Sequence, residues 1–270
     1  MANITQSIYK MRFLDEQADR YTVIHNLHPL SKLLVTAAFL IITASFGKYS
    51  LGSLVPLIFY LIITISLSDL PVVPLLKRVL PVVPFVLGIG IFNPIFDTGN
   101  HMLLAGMPIT GGWISFLVLA VKCILMVLAA FILIATTGIN GIAEALRQLM
   151  VPKIFTLQLL LTYRYISVLA EEAGNIWNAY SLRAPGQKGI RFGAWGPLAG
   201  QLLLRTFDRA QRLYNAMELR GFKGEYNTGK AKAFSMKDFI YTISWIAFFT
   251  ITRAVNIPEI IGLILTGGGK

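Results

Sequence analysis

The sequence predicts an all-α, polytopic membrane protein with about five transmembrane helices and a pair of long helices in the cytoplasm. Composition is the first reason: 55% of the 270 residues are hydrophobic, only 14% are charged, and the mean hydropathy is +0.66. Such a chain is too apolar for an ordinary soluble domain. The second reason is a series of apolar runs long enough to cross a bilayer. The third is the region 137–235, which is amphipathic and rich in Lys and Arg.

Five apolar segments are predicted to span the membrane, with short contributions from their flanks. They are residues 30–46, 51–67, 80–96, 113–136 and a last segment centred on 239–251. The third contains Pro81, Pro84 and Pro94, which predict a kinked helix because proline removes a helical hydrogen bond. The chain therefore divides into a cytoplasmic N-terminal segment, a block of four spans, a cytoplasmic region, and a last span with its tail: 1–29, 30–136, 137–235 and 236–270.

The Lys and Arg residues orient these spans, because cytoplasmic loops carry an excess of positive charge. Lys10, Arg12 and Arg20 precede the first span and Lys32 lies at its start, Lys77 and Arg78 lie between the second and third, and thirteen lie within 137–235. The alternate loops hold only Lys48. A multi-pass protein with a cytoplasmic N-terminus is therefore predicted. The net charge of +11 belongs to these loops, so the predicted partner is the lipid bilayer and not nucleic acid.

The first long cytoplasmic helix is predicted from Tyr163 onward. Helical spacing places five residues on its apolar face: Ile166, Leu169, Ala173, Ile176 and Tyr180. Pro185 and Gly186 stop the helix just after Arg183. Arg183 is therefore predicted to lie in its last turn.

The second long helix is predicted over 202–220, where glycine at position 221 closes it. Its apolar stripe consists of Leu203, Phe207, Ala210, Tyr214 and Met217, and its polar face of Arg205, Asp208, Arg209, Arg212 and Asn215. The glycine-rich stretch 186–197 is predicted to be the hinge between the two long helices. Upstream of both helices, residues 139–149 are predicted to form a short amphipathic helix that Pro152 ends.

Each long helix thus ends in an arginine, Arg183 or Arg220, for which two interpretations are open. A basic residue in a last turn complements the helix dipole by roughly 0.3–1 kcal/mol. Alternatively, the two arginines are exposed contact residues for a partner. The pair favours the second interpretation, because both helices belong to one charged region of an otherwise apolar protein.

The chain shows no constellation of catalytic residues. It has no phosphate-binding GxxxxGK[ST] motif, so ATP hydrolysis would need a separate subunit. Cys123 is the only cysteine, and the three histidines are scattered along the chain: His25, His28 and His101. Glu171 and Glu172 have no partner base or nucleophile and are interpreted as a solvated helical face. We therefore predict no metal site, no cofactor and no enzymatic activity.

Lys122 is the one basic residue deep within a predicted span. A lysine at a helix centre costs roughly 2.5–3.5 kcal/mol on insertion scales. Lys122 is therefore predicted to face protein or water. The alternative is that its long side chain reaches the membrane interface without a function.

Several runs of residues resemble a known family. They are IHNLHPLSKLL (24–34), LTYRYISVLAEEA (161–173), SLRAPG (181–186), LLLRTFDRAQRLYNAM (202–217) and AMELRGF (216–222). The likeness is to the transmembrane T component of energy-coupling-factor (ECF) transporters, the EcfT/CbiQ family, and in particular to its cobalt/nickel branch. His28 and Leu30 stand where that family commonly has Asp and Arg, and Ala184 and Pro185 replace a more usual Arg-Gly.

The resemblance implies a non-catalytic subunit of an ABC importer in the plasma membrane of a prokaryote. Two coupling helices, each with an X-Arg-X motif, would dock onto two ABC ATPase subunits, while the membrane part would hold a separate substrate-binding S component. The implied docking residues are Arg183 with Ser181, Leu182 and Ala184, and Arg220 with Glu218, Leu219 and Gly221. The implied substrates are cobalt or nickel ions.

Other functions remain open at this point. The chain could be the T component of a vitamin importer, or a substrate-translocating permease of another ABC transporter. A permease would line a central path with polar residues, of which Lys122 is the only candidate. A membrane enzyme would need a catalytic cluster. A scaffold without energy coupling would differ from a T component in having no ATPase partners.

Overall fold

The computed structural model describes residues 17, 18, 20–96, 101–104, 107–187, 189–222, 224 and 234–254. The fold is all-α, as predicted, with one short hairpin. Its helices are α1 Pro29–Ser45, α2 Val55–Leu67, α3 Val72–Val79, α4 Val83–Gly90, α5 Phe92–Phe96, α6 Gly111–Gln148, α7 Lys153–Arg183, α8 Phe192–Leu219 and α9 Met236–Ala254. Short 3-10 turns at Gly52–Leu54 and Leu80–Val82 lead into α2 and α4. The hairpin pairs β1, His101–Leu104, with antiparallel β2, Met107–Thr110.

The described residues form two compact units. The first unit contains residues 17–138 and 234–254, and the second contains 139–224. Val72–Pro94 and Gly111–Gln148 are long and apolar enough to cross a membrane, and Pro29–Ser45 and Gly52–Leu67 are shorter apolar helices. The fifth predicted span coincides with α9. The number of five spans stays a prediction.

The third helical stretch begins earlier than predicted. The sequence predicts Lys77 and Arg78 between the second and third spans, but both lie within α3. Leu75 and Val79 are buried one turn apart while Lys77 is exposed, so the two charges belong to an amphipathic turn. The predicted kink is confirmed by the 3-10 turn at Leu80–Val82, where Pro81 has no N–H to donate.

An aromatic cluster forms the core of the first unit, where α1, α2 and α9 meet. Phe39 and Phe249 are fully buried, with ring centroids 5.5 Å apart. Tyr60 lies 5.0 Å from Phe39 and 5.2 Å from Phe249, and its ring meets Trp245 edge-on at 4.8 Å. Such ring pairs stabilise the core beyond the contribution of the apolar area that each ring buries.

The first helix begins at a polar contact with the last. Backbone N–H groups of His28 and Ser235 donate to the two carboxylate oxygens of Asp238, at 2.7 and 2.8 Å. His28 also caps α1, because its Nδ1 accepts the N–H of Leu30 at 3.1 Å. An aspartate, the common residue here in the resembled family, is a preferred N-cap. The histidine of this chain performs the same capping function.

A break in α6 separates its apolar part from the amphipathic segment that follows. Gly138 has φ 65° and ψ 167°, a conformation that only glycine adopts without strain. Just before the break, the carbonyl of Thr136 accepts a hydrogen bond from the buried Lys32 Nζ at 2.7 Å. A cation at a helix C-terminus is electrostatically favourable. Lys32 therefore stabilises the end of the apolar part of α6.

Candidate functional site

The second unit contains the two long helices that the sequence predicts. The first, α7, ends at Arg183 as expected. The second, α8, starts at Phe192, ten residues before the predicted start, so the predicted hinge 186–197 is too long. Gly193 and Pro197 lie inside α8 and were mistaken for breakers. Pro197 has no N–H to donate to the carbonyl of Gly193, and α8 continues through it.

Tyr180 orders the turn between the helices, a role that sequence reasoning missed. Its hydroxyl donates to Oε1 of Gln187 at 3.0 Å and accepts the N–H of Arg191 at 3.3 Å. Gly186 and Gly189 have φ of 87° and 91°, which lets the chain reverse direction there. The sequence placed Tyr180 on the apolar face and gave no signal for the contacts of its hydroxyl.

The first arginine tip is the end of α7. Ala184 follows the helix in a non-helical conformation, with φ −125° and ψ 64°, and its N–H still donates to the carbonyl of Tyr180 at 3.0 Å. Ser181 Oγ donates to the carbonyl of Asn178 at 2.9 Å, so the serine side chain is used within the helix. Arg183 is exposed. Leu182 beside it is 82% exposed.

The second arginine tip is closed by a full set of capping bonds. The N–H of Gly221 donates to the carbonyl of Glu218 at 2.9 Å, and that of Phe222 to Met217 at 3.0 Å. With Gly221 at φ 78°, this is a Schellman motif. Arg220 is therefore the C-cap residue, and its backbone is fixed by local bonds.

Both tips present the same pair of side chains, a leucine followed by an arginine. Leu219 is 89% exposed, close to the value for Leu182, and both arginines are exposed. Neither the Arg183 nor the Arg220 guanidinium hydrogen-bonds or pairs with another residue in the described part of the chain. Within the described residues, these two leucines bury little of their surface. A free guanidinium beside an apolar side chain can bind a carboxylate and an apolar surface together.

The apolar stripe of α8 is exposed rather than buried. Leu203, Phe207 and Tyr214 are 69%, 68% and 59% exposed. The polar face meets α7 instead, where Arg205 Nη1 forms an ion pair with Glu172. The interpretation of Glu172 as part of a solvated face is therefore wrong, because α8 supplies its partner. Glu171 is exposed, as that interpretation expected.

A cavity of about 220 Å³ lies between α7 and α8 beside this ion pair. Its lining is mostly charged: Leu169, Glu172, Arg205, Thr206, Asp208, Arg209 and Arg212. The ion pair is partly exposed, so it contributes roughly 0.2–1 kcal/mol to stability. The ion pair therefore contributes little to holding α7 and α8 together. The apolar stripe of α8 stays exposed.

The other residues singled out from the sequence lie in the first unit. Lys122 Nζ donates to the carbonyl of Phe46, which confirms that the lysine faces protein. His25 Nδ1 lies 2.7 Å from Thr22 Oγ1, and burial together with the charge of Lys32 lowers the pKa of His25. His101 lies in β1. Within the described residues, no three His, Cys, Asp or Glu side chains cluster as metal ligands would.

The fold and the exposed tips define an all-α membrane protein with a unit of two long, arginine-tipped helices. Residues 20–230 match the family model of the CbiQ cobalt transport proteins, and the chain belongs to this family. Its relatives include the energy-coupling factor transporter transmembrane protein EcfT of Limosilactobacillus fermentum, 31% identical over 217 residues that cover 74% of this chain and 80% of the relative. The EcfT of Lactococcus lactis subsp. cremoris is 29% identical over 223 residues, 75% and 81% of the two chains.

The protein is therefore a transmembrane component of an ECF transporter, that is, a transporter subunit. A third relative is a nickel permease, LarQ of Lactiplantibacillus plantarum. It is 27% identical over 117 residues, which cover 42% of this chain and 43% of that protein.

Proposed function

We propose that this chain couples ATP hydrolysis by two ABC ATPase subunits to uptake by a separate, substrate-binding S component. The observation that carries the proposal is the pair of exposed Leu-Arg tips, Leu182-Arg183 and Leu219-Arg220. Two equivalent tips fit two equivalent partners, which is what a pair of ATPase subunits offers. Family membership supports the same assignment.

Each tip is suited to a groove that combines an apolar pocket with a carboxylate. The leucine would enter the pocket, and the planar guanidinium would form a bidentate pair with the acid. The residues beside the arginines set their geometry: Ser181 and Ala184 at one tip, Glu218 and Gly221 at the other. A helix end whose backbone is already ordered loses little entropy on docking.

The exposed stripe of α8 supports the proposal that the second unit is covered in the assembled transporter. Leu203, Phe207 and Tyr214 form an apolar surface on one face of a long helix, and a groove that takes an amphipathic helix is a known recognition mode. A protein partner that packs on this face would remove the apolar area from water. The S component and the two ATPases are the proposed partners.

We further propose cobalt or nickel ions as the substrate. The description of the matched family and the nickel permease relative support this choice. A vitamin importer is the second candidate, because the relatives that cover most of the chain are named for energy coupling and for no metal. Uptake of radioactive cobalt and nickel by cells that express the complete transporter, compared with uptake of vitamins, distinguishes the two.

The proposed location is the plasma membrane of a prokaryote, with several spans and a cytoplasmic N-terminus. The distribution of Lys and Arg between alternate loops supports it. In a Cys123→Ser background, single cysteines at Asn100, which lies outside the described residues, and at Gly189 should react with an impermeant reagent from opposite sides. Reaction of both from one side contradicts this topology.

The docking proposal is tested with alanine and lysine at the two tips. Loss of a charge-assisted hydrogen bond costs roughly 1.5–3 kcal/mol, or about ten- to a hundredfold in affinity. Arg183→Ala and Arg220→Ala should each reduce ATPase co-purification and ATP-dependent uptake, and the double variant should nearly abolish both. Lysine at either position should restore little ATPase binding, because its ammonium group lacks the planar, two-pronged geometry of a guanidinium.

The matched control is Arg212→Ala, which removes an exposed arginine from the same helix away from its tip. It should leave ATPase binding unchanged. If the arginines only complement helix dipoles, lysine should serve as well as arginine. Normal ATPase binding by the double alanine variant would refute the docking role.

A further inference from the structure

Two cations from different helices converge on the C-terminal end of α1. Arg253, in the last turn of α9, donates from Nε to Ser45 Oγ at 3.2 Å and from Nη2 to the Ser45 carbonyl at 3.3 Å. Lys122, in α6, donates from Nζ to the carbonyl of the next residue, Phe46. The guanidinium carbon of Arg253 also lies 5.3 Å from the centroid of the Phe46 ring. Both positive charges are therefore fixed at one helix end.

Among the described residues, the charges at this place do not balance. A helix C-terminus carries only about half a negative charge, so two cations leave an excess of roughly 1.5 positive charges. The charges of Lys122 and Arg253 repel each other. In the described part of the chain, no carboxylate pairs with either one. The excess is costly next to apolar helices, where charges are normally paired.

Both cations also keep unused hydrogen-bond donors. An ammonium and a guanidinium together carry more N–H groups than the contacts at Ser45 and Phe46 occupy. Arg253 is exposed and Lys122 is half-buried, so these donors can be reached from outside the first unit. The site therefore offers several donors and net positive charge to an anion with several acceptor oxygens.

We propose that Lys122, Arg253 and the end of α1 bind the phosphate group of an anionic membrane phospholipid. Phosphate oxygens accept charge-assisted hydrogen bonds from Lys and Arg, which this site supplies from two helices. The apolar surroundings favour a lipid over free phosphate. Ile41, one turn before Ser45 on the same face of α1, is 70% exposed and would contact an acyl chain. This site is separate from the arginine tips and does not rest on the proposed function.

The test uses the full-length chain, purified in a neutral detergent and freed of lipid. Short-chain phosphatidylglycerol, the matched phosphatidylcholine and inorganic phosphate are titrated separately, and the thermal unfolding midpoint is recorded. Phosphatidylglycerol should raise the midpoint to saturation, and the zwitterionic lipid should act much more weakly. A response to inorganic phosphate equal to that of phosphatidylglycerol would overturn the assignment to a lipid.

Variants locate the effect. Lys122→Leu and Arg253→Gln should each weaken the apparent affinity for phosphatidylglycerol by about fivefold to tenfold, and the double variant by more than either. Lys122→Arg and Arg253→Lys should retain binding, because the charge remains. Lys77→Gln removes an exposed lysine of the same unit that makes no contact with the end of α1, and it should bind like the unaltered chain. Unchanged affinity in the double variant would overturn the proposal.

A second measurement covers the case in which the double variant does not fold. The unaltered chain is mixed with equal amounts of phosphatidylglycerol and phosphatidylcholine, and the lipid that stays bound is identified by native mass spectrometry. Preferential retention of phosphatidylglycerol, lost in folded Lys122→Leu or Arg253→Gln, supports the site. Equal retention of the two lipids contradicts it.

Discussion

The carboxylate of Asp238 accepts the backbone N–H of His28 at 2.7 Å, across a separation of 210 residues. Both residues are buried, and the second carboxylate oxygen accepts the N–H of Ser235. One side chain thus fixes the start of α1 to the start of α9. These are the helices whose aromatic residues pack together in the core of the first unit.

The first prediction concerns this carboxylate. Asp238→Ala should lower the free energy of unfolding by about 1.5–3 kcal/mol, because the buried N–H of His28 and the partly buried N–H of Ser235 lose their acceptor. Asp238→Asn should lower the free energy of unfolding by less, since the amide oxygen still accepts one hydrogen bond. Thermal unfolding in detergent measures the difference. Asp208→Ala, which removes an exposed carboxylate of α8, is the control and should change stability by no more than about 0.5 kcal/mol. Equal effects at the two positions would contradict the role of Asp238.

The second prediction concerns the aromatic core. Phe249→Ala should lower the free energy of unfolding by about 3–5 kcal/mol, because removal of the buried ring leaves a cavity. The ring contacts Phe39, Tyr60 and Trp245. Phe239→Ala, on the same helix but half-exposed, should cost far less. Unfolding midpoints of the two variants provide the comparison. Similar losses would mean that α9 is not packed as described.

The third prediction is a pH dependence. Burial, followed by the charge of Lys32, lowers the pKa of His25 below its ordinary value of 6.5, so the folded chain keeps this imidazole neutral. The unfolded chain binds the proton more readily, so stability that is present above the unfolded pKa is lost as the pH falls through the folded pKa. The unfolding midpoint should therefore fall on acidification from pH 6.5, and less steeply for His25→Gln. An identical slope in the variant would exclude His25 as the cause.

The fourth prediction separates the geometry of a tip from its charge. Gly221→Ala keeps Arg220 but forces a Cβ into the left-handed conformation at φ 78°, at a cost of about 1–2 kcal/mol. ATPase co-purification should decrease, because the Schellman motif that fixes Arg220 is strained. Gly200→Ala lies inside α8, has open space at its Cβ, and should gain about 0.5–1 kcal/mol in stability. If both variants bind the ATPases equally well, the order of the tip is irrelevant to docking.

The sequence alone determined the features that depend on neighbouring residues. Apolar runs located the apolar helices, because a span must be continuously hydrophobic. Pro185 and Gly221 located the ends of the two long helices, because stop signals act within a few residues. The same stop signals gave a wrong prediction at Gly193 and Pro197, which lie inside α8 and do not end it.

Only the tertiary structure decided which side chains meet across long separations. No local pattern links Asp238 to His28, Arg205 to Glu172, or Lys122 to the carbonyl of Phe46. The apolar stripe of α8 shows the difference, since helical spacing predicts that one face is apolar but not whether this chain covers it. The structure leaves that face exposed and turns the charged face toward α7, where Arg205 pairs with Glu172.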